Sequence, residues 1–140
     1  MPTEPPVDVN PRAGAAFDVL AVFSALRALV GSLSWVSPST SWKVFGLGPI
    51  GSDAHAPLIT RLFGVRELAL AAGLQSRDPA VRKAVLRTGL VVDGVDIVAT
   101  LFALRKGAKK LIWLTFVAGA STFIGLGLRG LAEEERVSPT

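Results

Sequence analysis

Apolar residues gather into four long blocks, and the short stretches between them hold most of the Pro, Lys and turn-forming positions. The blocks are Ala15–Ser34, Ala56–Leu74, Ala84–Leu104 and Leu111–Leu128, with 20, 19, 21 and 18 residues. At about 1.5 Å of rise per residue, each can cross a hydrocarbon layer of about 30 Å as a helix. The pattern predicts an all-α fold, a four-helix transmembrane bundle over residues 15–128. Met1–Gly14 carries four prolines and no apolar period, and reads as a disordered tail. Residues 129–140, with Glu133, Glu134 and Glu135, read as a polar C-terminal tail.

The connections carry their own signals. Asp78–Pro79 has the form of a helix N-cap followed by proline at the first helical position. Pro57 sits at a predicted helix start, where its missing N–H costs nothing. Ser41–Leu47, inside the loop Trp35–His55, predicts one short turn of helix at the membrane interface. Trp35 and Trp42 suit the headgroup level there.

The last block separates a membrane bundle from a soluble one. Leu111–Leu128 has no charged residue, whereas a soluble bundle needs a polar face on every helix. Thr115, Ala118, Gly119, Thr122 and Gly125 instead form a small-residue stripe that lets helices approach closely in lipid. Composition agrees: half the chain is apolar and the mean hydropathy is +0.49. The net charge of +4 does not imply nucleic acid, because the basic residues form no stripe and fall between the apolar blocks. Basic loops beside anionic lipid account for them. Absence of cysteine removes disulfides, thiol nucleophiles and thiolate metal sites. The acidic, Pro-rich start also lacks the basic region of a signal peptide.

Eight charged residues fall inside the blocks: Asp18, Glu67, Asp93 and Asp96 against Arg27, Arg61, Arg66 and Arg87. All five lysines lie outside them. Guanidinium grips a carboxylate with two parallel prongs, so arginine is the basic residue that a paired, dehydrated interior favours. Depth counted from the N-terminal face predicts two layers, Arg27 with Arg61 and Asp96, and Arg66 with Glu67 and Asp93. Asp93 and Asp96 share a helix face. An unpaired charge at this depth costs at least ~2.5–3.5 kcal/mol, so the six are expected to pair across the first three spans. They are the candidate ligand-binding residues; the same network read structurally only locks the register of the helices.

Other motifs carry less. Gly46-Leu-Gly48-Pro-Ile-Gly51 matches a dinucleotide pattern but follows no strand and contains proline. Asp93-Gly-Val-Asp96 has the spacing of paired aspartates that bind magnesium diphosphate, but arginines compete for those carboxylates. His55 is the sole histidine and lies in a loop; no serine has a histidine at helical spacing. No catalytic residue, cofactor or metal is named by these patterns.

RLFGVRELALAAGL at Arg61–Leu74, VVDGVDIVATLF at Val91–Phe102, RALVGSLSWVSP at Arg27–Pro38 and the FG of Phe45–Gly46 together resemble a family of small bacterial and fungal integral membrane proteins within the DoxX-like group. The resemblance covers about Arg27–Leu128 and rests on Arg61, Gly64, Arg66, Glu67, Asp93 and Asp96. It implies four membrane helices and no established reaction. Some DoxX-like proteins are similar to subunits of quinone-linked membrane oxidoreductases, which implies a lipophilic ligand.

The expected function is a multi-pass cell-membrane protein whose buried cluster binds a small lipophilic or anionic-headed molecule: a quinone, an isoprenoid or a lipid. The alternatives are a structural subunit of a larger membrane complex or homo-oligomer, and an enzyme acting on a lipophilic substrate. Six basic residues (Arg12, Arg77, Arg82, Lys83, Arg129, Arg136) fall on the side of the termini and five (Lys43, Arg105, Lys106, Lys109, Lys110) on the other, which points to cytoplasmic termini.

Overall fold

In the computed structural model, the described residues are 11–52, 54–107 and 110–137, with side chains from residue 19 onward. They form five helices and no strand: α1 Pro11–Val36, α2 Pro38–Val44, α3 His55–Leu74, α4 Pro79–Arg105 and α5 Lys110–Val137. The protein is all-helical among the described residues.

Two boundaries differ from the sequence reading. Helix α1 starts at Pro11, so residues 11–14 are helical, while residues 1–10 lie outside the described residues. Helix α5 runs past Leu128 to Val137. The polar residues there continue the helix because Glu134 is drawn onto α4: Arg82 Nε donates to Glu134 Oε1 at 2.5 Å and Nη2 to Oε2 at 3.0 Å. Helix α2 begins three residues before the expected turn, at Pro38, whose fixed φ suits a first helical position. The start of α4 follows expectation. The Asp78 carboxylate accepts from the Ala80 N–H at 2.8 Å, with Pro79 at the first turn.

The long helices pack as antiparallel neighbours. Along α1 and α3, Ser24 Oγ donates to Ala71 O at 2.9 Å. Further along, a Cβ built on Gly64 would stand 2.7 Å from Gly31 O. Only glycine permits so close a backbone crossing. Helices α4 and α5 meet where Leu90 abuts Gly127 and Leu86 abuts Gly130. Helix α3 also packs on α4, and α1 on α5, so α1 and α4 face each other across the centre. Helix α2 tucks under α1 and α3: Ser34 and Ser41 hydroxyls meet at 3.0 Å, and Trp42 Nε1 donates to Thr60 Oγ1 at 2.7 Å.

Polarity runs from inside out. The apolar core is small, comprising Leu20, Phe23, Leu74 and Leu86, and it lies toward the end that holds the termini. Beside it Arg27 and Glu67 are 1% exposed and Asp93 3%. The outer faces are apolar instead: Leu29, Leu62, Val91, Val95, Phe102, Leu111 and Leu114 are all exposed. Among the described residues two helices are long and apolar enough to cross a membrane, over Val19–Val36 and Lys110–Val137. Helices α3 and α4 differ in composition because they bring the charges that line the interior.

Candidate functional site

Arg27 occupies the centre. It projects from the middle of α1, and its two terminal nitrogens serve different helices: Nη1 donates to Glu67 Oε2 of α3 at 2.6 Å, and Nη2 to Asp93 Oδ2 of α4 at 2.5 Å. Two aromatic rings lie against the guanidinium. Phe23 lies 4.7 Å from its carbon and Phe123 4.6 Å. A cation over the face of an aromatic ring is held by the ring's quadrupole, most strongly where water is excluded. Gly89 leaves room for the group, since a Cβ there would stand 3.1 Å from Nη2.

Arg66 forms a second, more open unit. Its Nη1 and Nη2 donate to Asp96 Oδ1 and Oδ2 at 3.0 and 2.6 Å, a two-pronged pair, and Nη2 also reaches Glu67 Oε1 at 3.0 Å. Its guanidinium lies over Phe63 at 4.7 Å. Glu67 therefore joins the units, giving one oxygen to each arginine.

Five of the six candidate residues meet in one network. Arg61 does not: it is exposed, and its Nε donates to Trp35 O at 3.3 Å. Of the two expected layers only Arg66 with Glu67 holds: Arg27 pairs with Glu67 and Asp93 instead of Asp96, and Arg66 takes Asp96 as well. The cause is side-chain direction. Helical side chains lean toward the N-terminus of their helix. Arg27 on α1 therefore leans toward Glu67 and Asp93, Arg66 on the antiparallel α3 leans the opposite way to Asp96, and Arg61 leans past the network altogether.

The sequence reading left Arg82 and Glu134 in a loop and a tail, yet they form an ion pair with Glu134 buried. Arg82 Nη1 also donates to Ser76 O at 2.9 Å. The hydrogen bond to the Glu134 carboxylate holds the Arg82 guanidinium above its usual pKa. The sequence signal that was available is a bare acidic triplet continuing the last helix. Arg87 meets Glu135 loosely at 3.7 Å on the exposed surface.

A cleft of about 210 Å³ opens beside the network. Arg66, Asp93 and Asp96 line it together with Phe45, Phe63 and Phe116. A second cavity of about 310 Å³ shares those three rings and continues past Trp42 and His55 toward α2. Phe45 joins the two sides, with its ring centroid 6.2 Å from Phe63 and 5.3 Å from Phe116. The Gly46–Gly51 segment is a turn, with Gly46 and Gly48 at φ of 73° and 87°; Gly46 lies against Leu111 of α5. Among the described residues no cluster of His, Cys, Asp or Glu has the arrangement of a metal site.

Fold and site together define an all-helical protein with a buried arginine–carboxylate network next to an aromatic cleft. No protein-family model, curated protein or solved structure matches the chain.

Proposed function

We propose that this chain is a multi-pass integral membrane protein, a four-helix bundle of the DoxX-like kind, that binds a small lipophilic molecule in the cleft beside Arg66, Asp93 and Asp96. Support for the membrane comes from the inverted distribution of polarity. Charges removed from the surface into the interior, with valine and leucine outside, suit hydrocarbon and not water as the surrounding solvent. On this reading α3 and α4 also span the bilayer, because Arg66, Glu67, Asp93 and Asp96 face other helices. Both termini then lie on one side, and the basic-residue balance favours the cytoplasm.

The observation that carries the binding reading is the cleft itself. Aromatic walls meet two carboxylates and a guanidinium in one place, the combination of apolar lining and a few placed polar groups by which small molecules are held. The carboxylates are committed to arginines, so binding is the activity the geometry supports best.

The test is purification in neutral detergent, solvent extraction and mass spectrometry of what accompanies the chain. Gly119 lines the cleft and has open space around it, so Gly119→Phe fills the volume without touching the charges. The expected result is a lipophile with the wild type and none with Gly119→Phe. An equal yield of the same molecule from both would overturn the assignment of the cleft.

A further inference from the structure

We infer that the cleft takes a lipophilic cation, bound in exchange for a proton held by the carboxylates when the cleft is empty. This deepens the binding reading above and rests on it.

The first argument is charge. The network joins two arginines, Arg27 and Arg66, to three carboxylates, Glu67, Asp93 and Asp96. One negative charge is left over. No other described charge compensates it. Arg61 turns away to Trp35 O, and Arg87 meets Glu135 on the outer surface. The groups facing Asp93 are Arg27 from α1, Arg66 and Glu67 from α3, and Asp96 from α4. From α5 come Phe123, Thr122 and Thr115, all neutral. His55 belongs to the neighbouring cavity, beyond the three phenylalanines. A single uncompensated negative charge in such a site is expensive, so the site calls for one positive charge from outside the network, a proton in the empty cleft and the cation in the filled one. The proton belongs to the group as a whole.

The second argument is where unused capacity lies. Arg66 is committed to both oxygens of Asp96 and to Glu67, and its face to Phe63. Arg27 is committed to Glu67 and Asp93, with Phe23 and Phe123 against its guanidinium. Neither guanidinium has a fork left for an anionic head. Asp93 lines the cleft and receives Arg27 on Oδ2. Phe45 and Phe116 line the same cleft and, among the described residues, have no arginine over their rings. A carboxylate and aromatic rings in one cleft are the two features that attract a cation shielded by hydrocarbon. When the cation enters, the proton leaves to solvent, and the total charge of the site is unchanged.

The probe is phenyltrimethylammonium, tested against tert-butylbenzene, its uncharged isostere, and benzenesulfonate, an anion of similar size. The full chain is titrated calorimetrically in zwitterionic nanodiscs, in two buffers of different ionisation enthalpy. The cation is expected to bind with release of one proton, and its affinity to rise about tenfold per pH unit while the empty site is protonated. Phe116→Leu keeps the wall apolar and leaves the charges alone. It should weaken the cation several-fold and tert-butylbenzene hardly at all. Equal or tighter binding of tert-butylbenzene or benzenesulfonate would overturn the cation assignment while leaving the lipophile reading in place. So would cation binding without proton release. Failure of all three probes to bind, with no lipophile in the extract, would remove both.

Discussion

Arg27 and Glu67 are each 1% exposed and meet at 2.6 Å across a helix pair, although 40 residues separate them in the chain. Removing the arginine strands Asp93 and one oxygen of Glu67 at once. Arg27→Ala is expected to cost ~3–5 kcal/mol, the scale for breaking a fully buried ion pair. Arg27→Lys should recover little, because one ammonium cannot present two parallel prongs to carboxylates on different helices. Reversible unfolding in mixed micelles gives the measurement, and a Lys variant as stable as the wild type would contradict the geometry.

Gly64 sets the spacing of α1 and α3. A Cβ on it would meet Gly31 O at 2.7 Å and Trp35 N at 2.9 Å, both backbone atoms that cannot swing aside. Gly64→Ala should therefore destabilise by at least ~1–3 kcal/mol, the usual cost of overpacking. Gly119→Ala, with nothing within 4 Å of its Cβ, is the matched control and should leave the melting temperature unchanged.

Arg61 and Arg66 lie five positions apart and separate cleanly in what they hold. Arg61→Ala loses one long bond to a carbonyl on the exposed surface and should shift stability by no more than about 0.5 kcal/mol. Arg66→Ala leaves Asp96 and one oxygen of Glu67 without their donor and should be clearly destabilising. If the two variants melt alike, Arg66 is not part of the network.

Most of the helices, and the residues that become the network, were legible in the sequence, because apolar runs and the charges inside them are local signals. The pairing was not. Depth along a helix axis is countable from residue numbers, but an arginine side chain reaches toward its helix N-terminus by roughly a turn. That displacement moved Arg27 onto Glu67 and Asp93 and left Arg61 outside. Arg82 and Glu134 were missed for a different reason: each is an ordinary polar residue near a helix end, and only the packing of α4 on α5 joins them. The leftover negative charge also emerged only once Arg61 and Arg87 were seen to point elsewhere.

Glu134 ties the end of α5 to the turn before α4. Glu134→Gln keeps the shape but weakens both bonds from Arg82, at an expected ~1–3 kcal/mol. Hydrogen exchange should speed up in the turn around Ser76, whose carbonyl Arg82 also holds. The raised Arg82 pKa adds stability that is complete below the unfolded value and is lost only as pH rises through the folded one. No change from this group is expected across neutral pH, and a stability loss traced to Arg82 between pH 6 and 8 would be inconsistent with it.

Reporter fusions at the two ends of the chain test the topology. Four spans require both reporters on the same side. Opposite sides would leave an odd number of spans and remove α3 or α4 from the bilayer.

The partners of Arg27 lie 40 and 66 residues downstream. On the membrane reading, the first helix therefore leaves the ribosome with a bare guanidinium halfway along it, at an insertion penalty of ~2.5–3.5 kcal/mol. The counter-charges that relieve it do not yet exist. Newly made α1 has reason to linger at the insertion machinery or the lipid interface until α3 and then α4 arrive. The ion network would then act as a timer in biogenesis, committing the first helix to the bilayer only when nearly the whole chain has been made.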